Sequence, residues 1–134
     1  AEKIQTRREK EKKEDEISAM IALGTVAYDA GKFDVALQVY LKAAEQGHVG
    51  AQCKCGRMYD IGEGTAVNMA KALYWYEKAA EQGDGLAQVI CGAMYHNGVG
   101  TARNVSKARY WLQKAAQSDE KEVAAEVREI LRQL

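Results

Sequence analysis

The chain repeats itself, and the repeat decides most of what it can fold into. Laid over itself at a shift of 36 residues, the stretch Gly47 to Gln82 matches Gly83 to Ser118 at 19 positions without a gap. The shared residues include Ala51/Ala87, Cys55/Cys91, Gly56/Gly92, Tyr59/Tyr95, Gly62/Gly98, Gly64/Gly100, Asn68/Asn104, Tyr74/Tyr110 and Trp75/Trp111. The phrase "KALYWYEKAAEQG" ends at Gly83, with altered copies, "VALQVYLKAAEQG" and "KARYWLQKAAQSD", ending at Gly47 and Asp119. A catalytic motif is needed once, whereas a phrase written three times marks a building block. A period of this size is the signature of a solenoid, in which each unit is one supersecondary element that its neighbours bury.

Each period reads as two helices. Ala51, Cys55, Met58 and Tyr59 fall at helical spacing, as do Ala72, Trp75, Tyr76, Ala79 and Ala80. No proline interrupts the 134 residues, and Ala, Leu, Glu, Lys and Gln are plentiful, which favours helix. Between the helices lie "DIGEGTAVN" and "HNGVGTARN". There, Gly62 and Gly98 suit the left-handed residue that closes a helix, and Asn68 and Asn104 suit the N-cap of the next. Gly47 and Gly83 end the second helix. Gly56 and Gly92 fall inside the first helix, where glycine costs about 1 kcal/mol relative to alanine, so close approach by the partner helix is expected there.

These residues carry a family resemblance. The pattern A-x-x-x-[LC]-G-x-x-Y-x-x-G-x-G-x-x-x-N-x-x-K-A-x-Y-W-x-x-K-A-A-E-Q-G resembles the Sel-like repeat branch of the tetratricopeptide superfamily, over roughly Ser18 to Ser118. The first copy, "LGTVAYDAGKFDVALQVYLKA", is similar to an ordinary tetratricopeptide repeat and lacks four residues of the later inter-helix loops. Thr65-Ala66 and Thr101-Ala102 stand where family members often carry a proline. The resemblance implies an all-α fold, a right-handed α/α superhelix of helical-hairpin repeats with a C-terminal capping helix. The implied organisation is a charged extension at 1–17, repeats at about 18–47, 48–83 and 84–118, and a cap at 119–134.

The two ends differ from the middle. From Glu2 to Glu16 the chain carries six basic and six acidic residues. This segment either prolongs the first helix through pairs such as Glu9 with Lys13 or stays unstructured. At the other end, Asp119 and Glu122 form a capping-box-like pair ahead of an apolar stripe, Val123, Val127, Ile130 and Leu131. Arg128 occupies the place of Gly56 and Gly92, so this helix lacks the small residue that admits another and reads as a solvating cap.

A search for chemistry finds no catalytic constellation. Cys53 and Cys55 are two apart on a helix and point about 200° from each other, so they cannot share a metal ion. Cys55 and Cys91, standing where the first copy has Leu23, read as small buried hydrophobes. Cys53 lies on another face and is the most accessible of the three. His48 and His96 sit in different units with no Cys or carboxylate at ligand spacing. Asp60 and Glu63 are near neighbours, but Glu63 becomes Val99 in the next copy. Trp75, Trp111, Tyr74 and Tyr110 could offer a stacking platform, although their repetition beside the Ala-Ala pair favours core packing. "GEGTAVN" is no phosphate loop, since no Lys-Ser/Thr follows. No metal, cofactor or catalytic residue is assigned.

Composition removes further classes. Lys plus Arg and Asp plus Glu number 19 each, which gives no field to draw the chain onto nucleic acid. No apolar run approaches the ~18 residues of a membrane span. Three cysteines make no disulfide framework and suit a reducing compartment such as the cytoplasm, although many relatives are exported.

The function implied by the resemblance is a protein-interaction module that holds a peptide or partner helix on its concave face. By position that face presents Thr25, Tyr28 and Asp29 from the first unit, Cys53, Arg57 and Asp60 from the second, and Val89, Ala93, His96 and Asn97 from the third. Arg57, the one strongly basic member, is the expected anchor, unless it is spent on an ordinary ion pair with Asp60. The expected partner is another protein or peptide, bound by a single copy, with self-association open. A structural spacer or self-assembling segment is the alternative class, followed by a carbohydrate- or cell-wall-active enzyme.

Overall fold

The structure is a computed structural model that describes residues 2–117 and 121–134, without the side chains of residues 2, 3, 122 and 123. Among the described residues there are seven helices and no strand. They are α1 (Glu2–Asp29), α2 (Phe33–Glu45), α3 (Val49–Ile61), α4 (Met69–Glu81), α5 (Gly85–Asn97), α6 (Val105–Ala115) and α7 (Lys121–Gln133). α1 pairs with α2, α3 with α4 and α5 with α6, while α3 stacks on α2, α5 on α4 and α7 on α6. This is the all-α solenoid that the period demands.

Local chemistry sets the helix ends where the repeat places them. Gly62 and Gly98 close α3 and α5 in the left-handed conformation, at φ 76° and 68°. The side-chain oxygens of Asn68 and Asn104 accept from the backbone N–H groups of Lys71 and Lys107 at 3.0 Å, satisfying one free donor of each helix start. One cap was not legible in advance. His48 caps α3 through Nδ1, which accepts from the Ala51 N–H at 3.0 Å, as Asp84 does for α5 from Ala87 at 2.8 Å.

The helices pack close because the contact residues are small. A Cβ on Gly56 would stand 2.8 Å from the Tyr76 ring, and one on Gly92 would stand 2.7 Å from Leu112 Cγ. Ala36, Ala43, Ala72, Ala79, Ala108 and Ala115 are fully buried beside them. Cys55, Cys91 and Met58 fill the next layer, and full burial of a side chain such as Met58 contributes on the order of 2 kcal/mol. The longer loops add a second grip. Residues 62–68 and 98–104 carry Gly64 and Gly100, whose α-carbons face the Phe33 and Met69 carbonyls at the starts of α2 and α4. The first loop, 30–32, is four residues shorter and has no such reach.

A side-chain clasp also recurs. Gln52 Nε2 donates to the Ala44 carbonyl at 3.1 Å, and Gln88 Nε2 donates to Ala80 at 3.2 Å. At the third seam the equivalent residue is Ala124, and Arg128, one turn on, donates to Ala116 at 3.4 Å instead. Arg128 therefore does more than keep the last helix soluble.

Two expectations are corrected. Trp75 and Trp111 are buried, but Tyr74 and Tyr110 are about half exposed, edge-on to their tryptophans, with Lys78 and Lys114 one turn away over their rings. Residues one apart on a helix point about 100° from each other, so a shared motif does not mean a shared face. The charged amino-terminal segment belongs to one continuous helix, yet it forms no Glu9–Lys13 pair. Among the described residues the one ion pair is Arg132–Glu129 at 2.7 Å. An exposed pair at this spacing gains a few tenths of a kcal/mol at most, so solvation of both groups competes with it. Asp119 and the side chains of Glu122 and Val123 lie outside the described residues, and with them the capping box.

Candidate protein-binding face

The predicted residues lie on the first helices α1, α3 and α5, in several different settings. From α1, Thr25 bonds back to the Ile21 carbonyl and lies 2.9 Å from the Tyr40 hydroxyl, so it ties α1 to α2. Asp29 is exposed at the end of α1. Tyr28 is half-buried and donates to both Glu63 carboxylate oxygens, at 3.0 and 2.8 Å. This bond, with burial behind it, raises the Tyr28 phenol above its ordinary value. Its ring also lies 5.0 Å from Phe33 and 4.2 Å beneath the Lys54 ammonium.

From α3, Asp60 accepts from the Tyr76 hydroxyl at 3.5 Å rather than pairing with Arg57. Arg57 is exposed, with no hydrogen bond or ion pair to the described residues. Cys53 is half-buried. Burial and then the Asp84 carboxylate push its thiol up to about 11, the opposite of what an activated nucleophile requires.

Between α3 and α5 these residues border a groove of about 240 Å³ lined by Gly50, Cys53, Lys54, Arg57, Tyr76, Leu86, Ala87 and Ile90. Leu86 and Ile90 form its apolar wall, and Lys54 and Arg57 are the charged groups of its lining. Sequence reasoning missed Lys54, Leu86 and Ile90. A signal existed, because at the 36-residue shift Leu86 replaces Gly50 and Ile90 replaces Lys54, departures at non-core positions of an otherwise faithful copy.

The third-unit residues have a different setting. Val89, Ala93 and His96 line a groove of about 280 Å³ with Leu112 and the end of α7, through Ile130, Gln133 and Leu134. His96 Nδ1 lies 3.2 Å from Asn97 Oδ1, and its carbonyl accepts from Arg103 Nε at 2.9 Å. Asn97 itself is exposed. Arg57 and Tyr28 thus stand at an open surface, whereas Val89 belongs to the seam that α7 covers. No group of three His, Cys, Asp or Glu among the described residues is placed to hold a metal ion. Nor is any described helix long and apolar enough to cross a membrane.

A stack of helical pairs, each first helix seated on the second helix of the pair before it, defines the helical-repeat class. Within it, the Sel1 repeat family model matches residues 17–48, 49–84 and 85–120, so the chain belongs to the Sel1 repeat family. Such repeats are in general non-enzymatic protein-interaction scaffolds.

Among solved structures, the chain is similar to a Sel1 repeat protein from Oxalobacter formigenes. They share 37% identity and a TM-score of 0.73, over 83% of this chain and 47% of that one. It is similar to a protective antigen of uropathogenic Escherichia coli displaying an SLR fold, at 33% identity and TM-score 0.72, over 83% of this chain and 25% of that one. Helicobacter pylori cysteine-rich protein B, at 18% identity and TM-score 0.63, covered over 82% of this chain and 93% of its own, shares the fold. A curated relative, an exopolysaccharide production negative regulator of Rhizobium meliloti (strain 1021), is 39% identical over 54 residues. That match covers 40% of this chain and 20% of the regulator, so this chain spans about a fifth of the relative's length.

Proposed function

We propose that the chain is an interaction module whose concave face, centred on the groove between α3 and α5, holds a peptide segment or helix of another protein. The observation that carries this reading is Arg57. It is an exposed guanidinium with no ion pair among the described residues, at the rim of an apolar groove that Lys54, set over the Tyr28 ring, also lines. Arginine suits such a centre because its planar fork can hold a carboxylate through two bonds and can stack on aromatics. Leu86 and Ile90 supply the apolar wall against which a partner side chain is desolvated. Residues 18–118 are the working array, with 1–17 as an extension and 119–134 as a cap.

The test begins by capturing the partner from native lysate with the intact chain and measuring its affinity. Arg57→Glu and Leu86→Asp should each weaken binding by about 1–3 kcal/mol, the range of an interface hot spot. Tyr28→Ala should do the same, while Lys78→Glu on the outer side changes nothing. If Lys78→Glu abolishes binding and the groove variants leave it untouched, the partner docks elsewhere.

A further inference from the structure

The most exposed apolar stripe of α1 has two buried counterparts in the same molecule. In α3 and α5, Cys55 and Met58, and Cys91 and Met94, seat against the preceding second helix and are 0–6% exposed. The same positions of α1 hold Leu23 and Val26, at 57% and 67% exposure, with Ala19 exposed beside them. At the other end of the array, α7 repeats the pattern in register 36 residues after α5. Val127 occupies the place of Cys91 and is buried at 2% against Leu112 and Ala115 of α6. Ile130, at the place of Met94, is 43% exposed, so α7 seats its stripe at Val127 alone, whereas α1 leaves both positions bare.

We infer that the Leu23–Val26 stripe of α1 is a docking surface for the α6 end of a second copy of this chain, kept empty while that copy's own α7 occupies the seat. The interface would continue the one already repeated inside the molecule, α3 on α2 and α5 on α4. The seat on α6 accepts a first helix of this stripe, and α1 presents such a stripe.

The α6–α7 seam is also the weaker kind. Among the described residues no loop equivalent to 62–68 or 98–104 grips across it, and Arg128 replaces the glutamine clasp at the longer distance of 3.4 Å. Helix α1, with its short 30–32 loop, lacks that grip too, while the α7 end adds two exposed bonds to α6, from Arg128 to the Ala116 carbonyl and from Arg109 to the Leu134 carbonyl at 3.2 Å. The tether gives α7 an effective concentration of roughly millimolar, so the intact chain stays a single copy at micromolar concentration. Once α7 lifts, the contact is head-to-tail and does not close on itself, so growth is open-ended.

Sedimentation velocity on the full chain from about 10 µM to about 1 mM spans that effective concentration and tests the proposal. Val127→Asp, which unseats α7, should convert the single species into a concentration-dependent series, and adding Leu23→Asp should return it to a single species. Excess synthetic peptide 118–134 should dissolve the series by refilling the seat. Should Val127→Asp lose the circular dichroism of the whole array, Leu131→Asp at the edge of the same seat replaces it. In the unmodified chain, weak association near 1 mM that Leu23→Asp removes is the independent readout. A variant that keeps its helices and stays single at every concentration overturns the proposal. So does association that Leu23→Asp or the peptide leaves unchanged. Neither outcome touches the groove at Arg57, which partner affinity reads separately.

Discussion

The α4–α5 seam and the α6–α7 seam join the same kinds of helix, yet they are held differently. At the first, Gly92 lets Leu112 come close behind α5, Gln88 clasps the Ala80 carbonyl, and the 98–104 loop lays Gly100 on the start of α4. At the second, Arg128 stands where the glycine was, its bond to Ala116 is longer at 3.4 Å, and Arg109 donates to the Leu134 carbonyl at 3.2 Å. Each unit is thus secured by the unit after it as much as by its own residues. The repeat's stability sits in shared interfaces rather than in any one hairpin.

The sharpest test of that contrast is the small-residue position. Gly92→Val puts side-chain atoms into the space of Leu112 and should destabilise the chain by about 3 kcal/mol, the upper range for overpacking. Arg128→Val at the equivalent position should change stability by less than about 0.5 kcal/mol, as exposed sites usually do. Urea unfolding followed at 222 nm reads both, and equal losses would dissolve the distinction between the seams.

The buried thiols give a pH-dependent version. Burial first, and neighbouring glutamates second, push Cys55 and Cys91 up from 9.0 to about 12. Between about pH 9 and 12 the unfolded chain has released protons that the folded chain still holds. The stability from neutral thiols is therefore full below pH 9 and lost as pH rises toward 12. Unfolding midpoints should fall across that window, and less steeply in Cys55→Ala/Cys91→Ala. An identical slope in that variant would assign the loss to the tyrosines, of which Tyr76 is pushed up to about 12 as well.

The smallest effect separates the clasps. Gln88→Ala strands a buried carbonyl and should cost about 1–2 kcal/mol. Arg128→Ala, at an exposed and longer bond, should cost a few tenths. Reversal of that order would mean that the last seam carries more of the fold than its geometry suggests.

Much of this was legible without coordinates. Gly62, Gly98, Asn68 and Asn104 announced their caps because cap chemistry is local, and the 36-residue period announced the helical pairs. Tyr74 and Tyr110 were misread because a motif written in one dimension does not say which of its residues turns inward. Lys54, Leu86 and Ile90 went unseen because a groove between units is made of residues that are distant in sequence.

What the sequence determined by itself is therefore everything set within one turn or one period: helix ends, the glycines that admit a neighbour, the identity of the repeat. What only the tertiary structure decided is where equivalent positions end up. Leu23 and Cys91 are the same position of the same motif, one in water and one in the core. The difference is whether a second helix lies in front of it.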